Sequence, residues 1–416
     1  MNKRSSVPGP HEMAAMAQGT GTPRPARAGS FDKEPGQYTQ EDYQAHGWLD
    51  PKWSQEEHFP THATMQEKQR TQGRLDLGQQ HTPIDMKRQA TWDDLPDHVR
   101  AGVEADVHKR LGLHFGDIVH HYGADLDNAY IRAHNRGSNV ATGQDYYTGG
   151  PGTDQRRSGQ LAAHLGLNTS TVHYARAALS HNSDPDTDLN RTGRIAQQLV
   201  HNPDINQFRD PVKEPEGESP PVGTGGFHTT ARNAARIIHN EGSGVHPLDV
   251  PGESAGATKS RSRGAPVRSA VAASDWAVKA GTYGDAQEFP RVVDANPVID
   301  RHEWRGGAGI KDFGEDTRAD VMSGSHNTKV HNVEHPFEPG ASIDAMNLYF
   351  SHALKTAAQQ RGLPSHVAQP VHWYEQKITS YSSKKKGAKA PDEAMVNPIL
   401  QARQHEAQHG QQGSLF

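Results

Sequence analysis

The chain has no cysteine. That excludes disulfides, cysteine-ligated zinc and thiolate-bound iron–sulfur clusters. It is also poor in apolar residues: 33% are hydrophobic and mean hydropathy is −0.86. A chain this polar cannot bury apolar surface along all of its 416 residues, so one compact domain with long polar arms is expected. No apolar run approaches the length of a membrane span, and the N-terminus lacks a signal-peptide apolar stretch. A soluble, cytoplasmic protein is the expectation. Net charge is only −5, so any nucleic-acid affinity must come from local patches. There is no Walker loop, dinucleotide fingerprint or nucleophile elbow, and the motifs call for no cofactor.

Glycine and proline, 41 and 27 residues, punctuate what remains. Up to about residue 90 neither helical nor strand periodicity is sustained, and this stretch reads as a disordered arm. Order is expected from Thr91. Asp94 or Asp97 can cap a helix through Val99, Val103, Val107 and Leu111. Further helices are expected over Ile118–His134, Asp154–Leu165, Val172–Ser180 with Asn168 as cap, Arg191–His201, Thr229–Asn240 and Pro266–Gly281. The last two run from Ser342 or Asp344 to Arg361, and from Pro364-Ser365 through Trp373-Tyr374. Val292–Asp300 reads as a short extended or turning segment and Arg305–Ala341 as mostly loop. No long alternating pattern argues for strands. The expected fold is all-α, a bundle of short helices between long loops over residues 91–380, with a basic tail at 381–416.

Histidine is abundant, at 27 residues, which raises the question of metal. His326, His331 and His335 with Glu334 fit no compact zinc spacing, and His120-His121 has no evident partner, so no metal site is assigned. The basic residues Arg261, Arg263 and Arg268 around Gly264, and the run Lys384-Lys385-Lys386, are candidates for phosphate contact.

The chain ends Gln412-Gly413-Ser414-Leu415-Phe416. Two large apolar side chains at the end of a polar stretch suggest docking into a pocket of another protein. The order Gln, any, Ser, Leu, Phe resembles the peptide with which bacterial replication and repair proteins bind the β sliding clamp. That resemblance implies that Gln412, Ser414, Leu415 and Phe416 bind the clamp, and that the protein works on DNA.

Four segments follow in order. Ala177-Ala178-Leu179-Ser180 leads to Asp188 and Asn190; Asn233 to Ile238 comes next; Gly264-Ala265-Pro266-Val267-Arg268 opens a helix; Val298-Ile299-Asp300-Arg301-His302 closes the series. The order resembles the helix–hairpin–helix DNA glycosylases of the endonuclease III type. With Ala357-Ala358, Gly362, Gln369 and Trp373, it also resembles a family of uncharacterised proteins from phages of actinobacteria. The resemblance implies that Asp300 is the catalytic carboxylate, with His302 beside it, and that DNA is held near Gly264. Cleaving an N-glycosidic bond builds positive charge on the sugar, which a fixed anion stabilises, once the base has left the stack. The sequence departs from the family pattern at the hairpin, where Val250-Pro251-Gly252 is a partial echo. It also lacks an evident lysine after Gly264, where Ala265 and Pro266 stand, so the resemblance implies a monofunctional enzyme.

The residues leave open whether Asp300 is catalytic or only a helix cap. The leading expectation is a phage-type, glycosylase-like enzyme recruited by the clamp in the bacterial host cytoplasm. The alternatives are a noncatalytic DNA- and clamp-binding adaptor, and a virion structural or assembly protein.

Overall fold

The computed structural model describes residues 31, 33–49, 90–138, 140–147, 154–180, 185–208, 228–250, 278–289, 295–310 and 343–384. Among these the fold is all-α: eleven helices, three short 3-10 turns and no strand. The helices are α1 (Gln40–Ala45), α2 (Asp97–Leu111), α3 (Phe115–Asn135), α4 (Asp154–Leu165), α5 (Thr169–Leu179), α6 (Pro185–His201), α7 (His228–His239), α8 (Val278–Glu288), α9 (Arg301–Gly307), α10 (Ile343–Gln359) and α11 (Ser365–Lys384).

They group into two packed lobes. In the first, α3 packs on α10, α11 and α9, and α2 lies on α10. Val99, Val103 and Val107 recur at helical spacing and bury against Ile118, Tyr122, Trp304, Tyr349 and Leu354. In the second, α5 is the central helix, with α4, α6, α7 and α8 against it. Every residue from Ser170 to Leu179 is buried. Ala231, Ala234, Ala235 and Ile238 of α7 let that helix approach closely. The lobes meet at a small aromatic cluster of Tyr146, Tyr147, Tyr283, Val298 and Tyr374.

Some helix ends follow the sequence signals and others do not; the helix expected from Arg191 starts at Pro185, whose missing N–H suits a first helical turn. Asn168 caps α5, its side chain accepting from Ser170 N at 3.0 Å. Gly112, Gly166 and Gly362 close their helices with positive φ. The position before α2, however, is Pro96, and Asp94 instead closes a 3-10 turn by accepting from Thr91 N. The helix expected to stop at Gly281 runs on to Glu288. Gly281 does not break it because its flanks, Lys279 and Tyr283, tie α8 to its neighbours by side-chain hydrogen bonds. Residues 266–277 lie outside the described residues.

Three other boundaries are corrected. The expected loop from Arg305 begins later, because α9 continues to Gly307. Gly306 is required there: a Cβ would run into the buried His372 ring, so glycine lets α9 lie on α11. The tail expected from 381 begins inside α11, which extends to Lys384. Finally, the arm expected to be unstructured to residue 90 contains an ordered segment at 33–49. Tyr38, Tyr43 and Trp48 are buried against Leu126, Tyr130 and Val367. The buried Asp127 of α3 holds this segment, accepting from Gly36 N at 2.6 Å and Tyr43 OH at 2.9 Å. It also accepts from Arg361 Nε and Nη2 at 2.7 and 3.0 Å. A few aromatics spaced irregularly in a polar stretch give no periodicity, so sequence pattern alone missed them.

Candidate functional site

A pocket of about 450 Å³, its open mouth included, lies between the lobes. The loop after α3 gives it Tyr146 and Tyr147; the end of α5 gives Ser180; the first turn of α6 gives Pro185 and Asp188. Helix α8 contributes Lys279 and Tyr283, one turn apart. The stretch into α9 contributes Val298 and Asp300, and α11 contributes Gln369, Pro370 and Trp373.

Local geometry explains why these side chains converge. Gly143 has φ +93, and a Cβ on it would lie 2.6 Å from the Pro370 carbonyl. Only glycine lets the tyrosine loop press onto α11 at that point. Pro370 sits inside α11, where its ring cannot complete the helical ladder. The irregularity therefore falls on the stretch of α11 that lines the pocket.

The second lobe is braced from behind by Arg176, which is wholly buried. It donates to Asp154 Oδ1 at 2.5 Å, Ser158 Oγ at 2.6 Å, Gln287 Oε1 at 3.0 Å and the Pro185 carbonyl at 3.2 Å. The other Asp154 oxygen accepts from the Tyr283 phenol at 2.7 Å. Burial works against the guanidinium charge, but Asp154 beside it wins and keeps Arg176 charged. Helix α8 is joined to α5 by polar contacts, Tyr174 to Asp285 at 2.5 Å and His173 to Glu288 at 2.7 Å. Such contacts fix its register directionally. Lys279 closes the same interface by donating to the Ser180 carbonyl at 2.8 Å.

Asp300 answers the question that the sequence left open in part: it is a helix cap, and it also faces the pocket. Its Oδ1 accepts from His302 N at 2.6 Å, and it forms a reciprocal capping box with Glu303, whose Oε2 accepts from Asp300 N at 3.0 Å. Its Oδ2 accepts from Trp373 Nε1 at 3.0 Å. Burial alone would raise the Asp300 pKa. The hydrogen bond with Glu303, the neighbouring His302 and Lys279, and the backbone N–H outweigh it and hold the carboxyl well below its usual range. Glu303 is pushed the opposite way, upward, first by burial and then by the Asp300 charge. The pocket phenols of Tyr146, Tyr147 and Tyr283 are raised well above 10 by burial and remain neutral.

His302 does not line the pocket. Its ring stands edge-on to Trp373 at 6.0 Å, and burial lowers its pKa to about 4 despite the Asp300 charge. It is a neutral packing partner at ordinary pH. His121 Nδ1 donates to the Gly307 carbonyl at 2.9 Å, which is a packing role between α3 and α9. Among the described residues no group of three or more His, Asp or Glu side chains is placed to hold a metal ion.

Five residues singled out in separate sequence segments, Ser180, Asp188, Asp300, Gln369 and Trp373, line this one pocket. Arg261, Arg263, Gly264 and Arg268 lie outside the described residues, as do Lys385, Lys386 and Gln412, Ser414, Leu415 and Phe416. Lys384 is the last residue of α11, and its side chain is not among those described. Sequence reasoning missed Lys279, Tyr283 and Glu303. The i, i+4 spacing of Lys279 and Tyr283 was readable as one helix face, and Glu303 stands at capping-box distance from Asp300. Comparison of the chain with protein-family models, with curated proteins and with solved structures gave no match.

Proposed function

We propose that this pocket cleaves an N-glycosidic bond in DNA, with Asp300 as the carboxylate that faces the sugar. The observation that supports the reading is a carboxylate held by the His302 and Glu303 backbone N–H groups and the Trp373 indole, in an aromatic-lined cleft between two helical lobes. As the base leaves with the bonding electrons, positive charge builds on the sugar; water then adds at C1′, its oxygen replacing the base nitrogen, and the proton it sheds goes to the departed base. A fixed anion stabilises that charge without reorganising. Tyr146, Tyr147 and Trp373 give the pocket an aromatic lining against which an extruded base would pack. Lys279 brings a cation to the same pocket and, after Glu303 and His302, helps hold the Asp300 carboxyl below its usual range. The C-terminal peptide Gln412 to Phe416 would recruit the enzyme to the sliding clamp and raise its local concentration on DNA.

The test needs no knowledge of the base. A duplex carrying a pyrrolidine abasic analogue presents a cation where the transition state has one. A tetrahydrofuran analogue presents the same shape uncharged. The protein should prefer the cationic duplex, and Asp300→Asn should remove roughly a hundredfold of that preference. Equal affinity for both duplexes in the native chain would refute the reading and favour a noncatalytic adaptor. Clamp binding by the intact chain, compared with a chain lacking Leu415 and Phe416, tests the recruitment separately.

A further inference from the structure

We infer that Glu303 is a positioning residue that locks the Asp300 carboxylate from behind, through a hydrogen-bond chain running from the pocket wall: Tyr147, Gln369, Glu303, Asp300. The inference rests on the reading of Asp300 as the reactive carboxylate. Each link is geometric. The Tyr147 phenol donates to Gln369 Oε1 at 3.0 Å, which turns the Gln369 amide so that Nε2 donates to Glu303 Oε1 at 2.7 Å. Glu303 Oε2 accepts from the Asp300 backbone N–H at 3.0 Å. The Glu303 backbone carbonyl is held in turn by the Tyr122 phenol at 2.9 Å. Glu303 has no exposed surface, whereas Tyr147 and Gln369 both line the pocket. The chain therefore begins where a ligand would sit and ends at the backbone of Asp300.

The chemistry follows from two carboxyls placed together. A buried acid beside an anion keeps its proton, and the proton then serves the anion as a hydrogen-bond donor. Glu303 acts as a neutral acid, and Asp300 owes part of its ionisation to it. The charged and titratable groups facing the pair are His302 on its own helix, Lys279 on α8, Tyr122 on α3 and Tyr147 in the pocket wall. Arg301 and Arg305 on the same helix and Lys377 on α11 act on the adjoining His302, and Asp125 on α3 acts on Tyr122.

The test uses the intact chain with its Asp and Glu carboxyl carbons labelled, titrated by NMR between about pH 4 and pH 8. One glutamate carbon should remain at its protonated shift at neutral pH and vanish in Glu303→Gln. In parallel, the pyrrolidine duplex should bind Glu303→Gln within about threefold of the native chain, since Gln reproduces a neutral hydrogen-bonding group. Glu303→Leu should lose about tenfold, and the pH at which binding fails on acidification should move upward. The inference is overturned if every glutamate carbon is ionised at neutral pH, or if Gln costs as much as Leu. Should Glu303→Leu fail to fold, the native titration and Glu303→Gln still decide. If the native chain ignores the charge of the duplex, it is the Asp300 reading that fails, while the titration still reports on Glu303.

Discussion

Replacing Arg176 by Met removes the charge that braces the pocket's rear wall. The side chain keeps its approximate volume, so the effect is electrostatic rather than a cavity. Asp154 is left buried, with the Tyr283 phenol at one oxygen and no cation at the other. Breaking a buried pair from one side costs about 3–5 kcal/mol. At roughly 2–4 °C per kcal/mol for a domain of this size, the midpoint of thermal unfolding should fall by about 10 °C. The loss is specific to the pairing, so the companion Asp154→Leu and the double variant complete a cycle. The double variant should be less destabilised than the sum of the singles by about 2 kcal/mol or more, because it strands neither charge. Circular dichroism under heating supplies the midpoints and denaturant titration the free energies. Additive single effects would refute the reasoning, since they would mean that the two side chains do not stabilise each other. A functional consequence follows from the same contacts. Arg176 also holds the Pro185 carbonyl and Gln287, so Arg176→Met should weaken binding of the pyrrolidine duplex at temperatures where the variant is still folded.

The other predictions are narrower. His302 has a folded pKa of about 4 against 6.5 for the free side chain, so the unfolded chain takes up the proton first on acidification. Its contribution is present above about pH 6.5 and is lost as pH falls toward 4, by at most about 3 kcal/mol. Denaturant titrations across that window should show a shallower fall for His302→Gln than for the native chain. Asp127→Asn should cost about 3–5 kcal/mol by leaving Arg361 buried without its carboxylate. Limited proteolysis should then cut within residues 33–49 before the rest of the chain unfolds. Gly143→Ala places a Cβ at a positive φ and 2.6 Å from a backbone carbonyl, and should cost about 1–3 kcal/mol of stability. A stability unchanged by this substitution would mean that the tyrosine loop does not press on α11.

Much of the helical architecture was legible because it rests on period and punctuation. Val99, Val103 and Val107 repeat at helical spacing, and Asn168 and Gly362 mark ends with side chains suited to a cap and a positive φ. The misreadings have a common physical cause. Helix α8 buries Thr282, Asp285, Gln287 and Glu288, so its inner face is polar and gives no apolar stripe. The segment at 33–49 is secured by one carboxylate and scattered aromatics, an arrangement that only the tertiary partners Asp127, Tyr130 and Arg361 reveal.

The candidate site divides along the same line. Asp300, Ser180, Asp188, Gln369 and Trp373 were named from short segments, while Lys279 and Tyr283 were hidden on the polar helix. A pocket walled by hydrogen-bonded polar residues has a consequence for how it works. Apolar packing tolerates small slides, whereas the bonds from Lys279 to Ser180, Tyr283 to Asp154, Tyr174 to Asp285 and Gln369 to Glu303 each fix a direction. A one-residue slip of α8 would break its bonds to Ser180, Asp154 and Tyr174 together, with those of Gln287 and Glu288, and move Lys279 away from Asp300. The polarity that concealed this helix from a hydrophobic reading is therefore the property that holds its cation in register with the carboxylate. Tyr174→Phe tests that link: it removes a bond on the far side of α8 from the pocket. If register transmits, it should weaken the preference for the cationic duplex by about two- to fivefold, with binding of the uncharged duplex unchanged. An equal loss for both duplexes would point instead to a general loosening of the lobe.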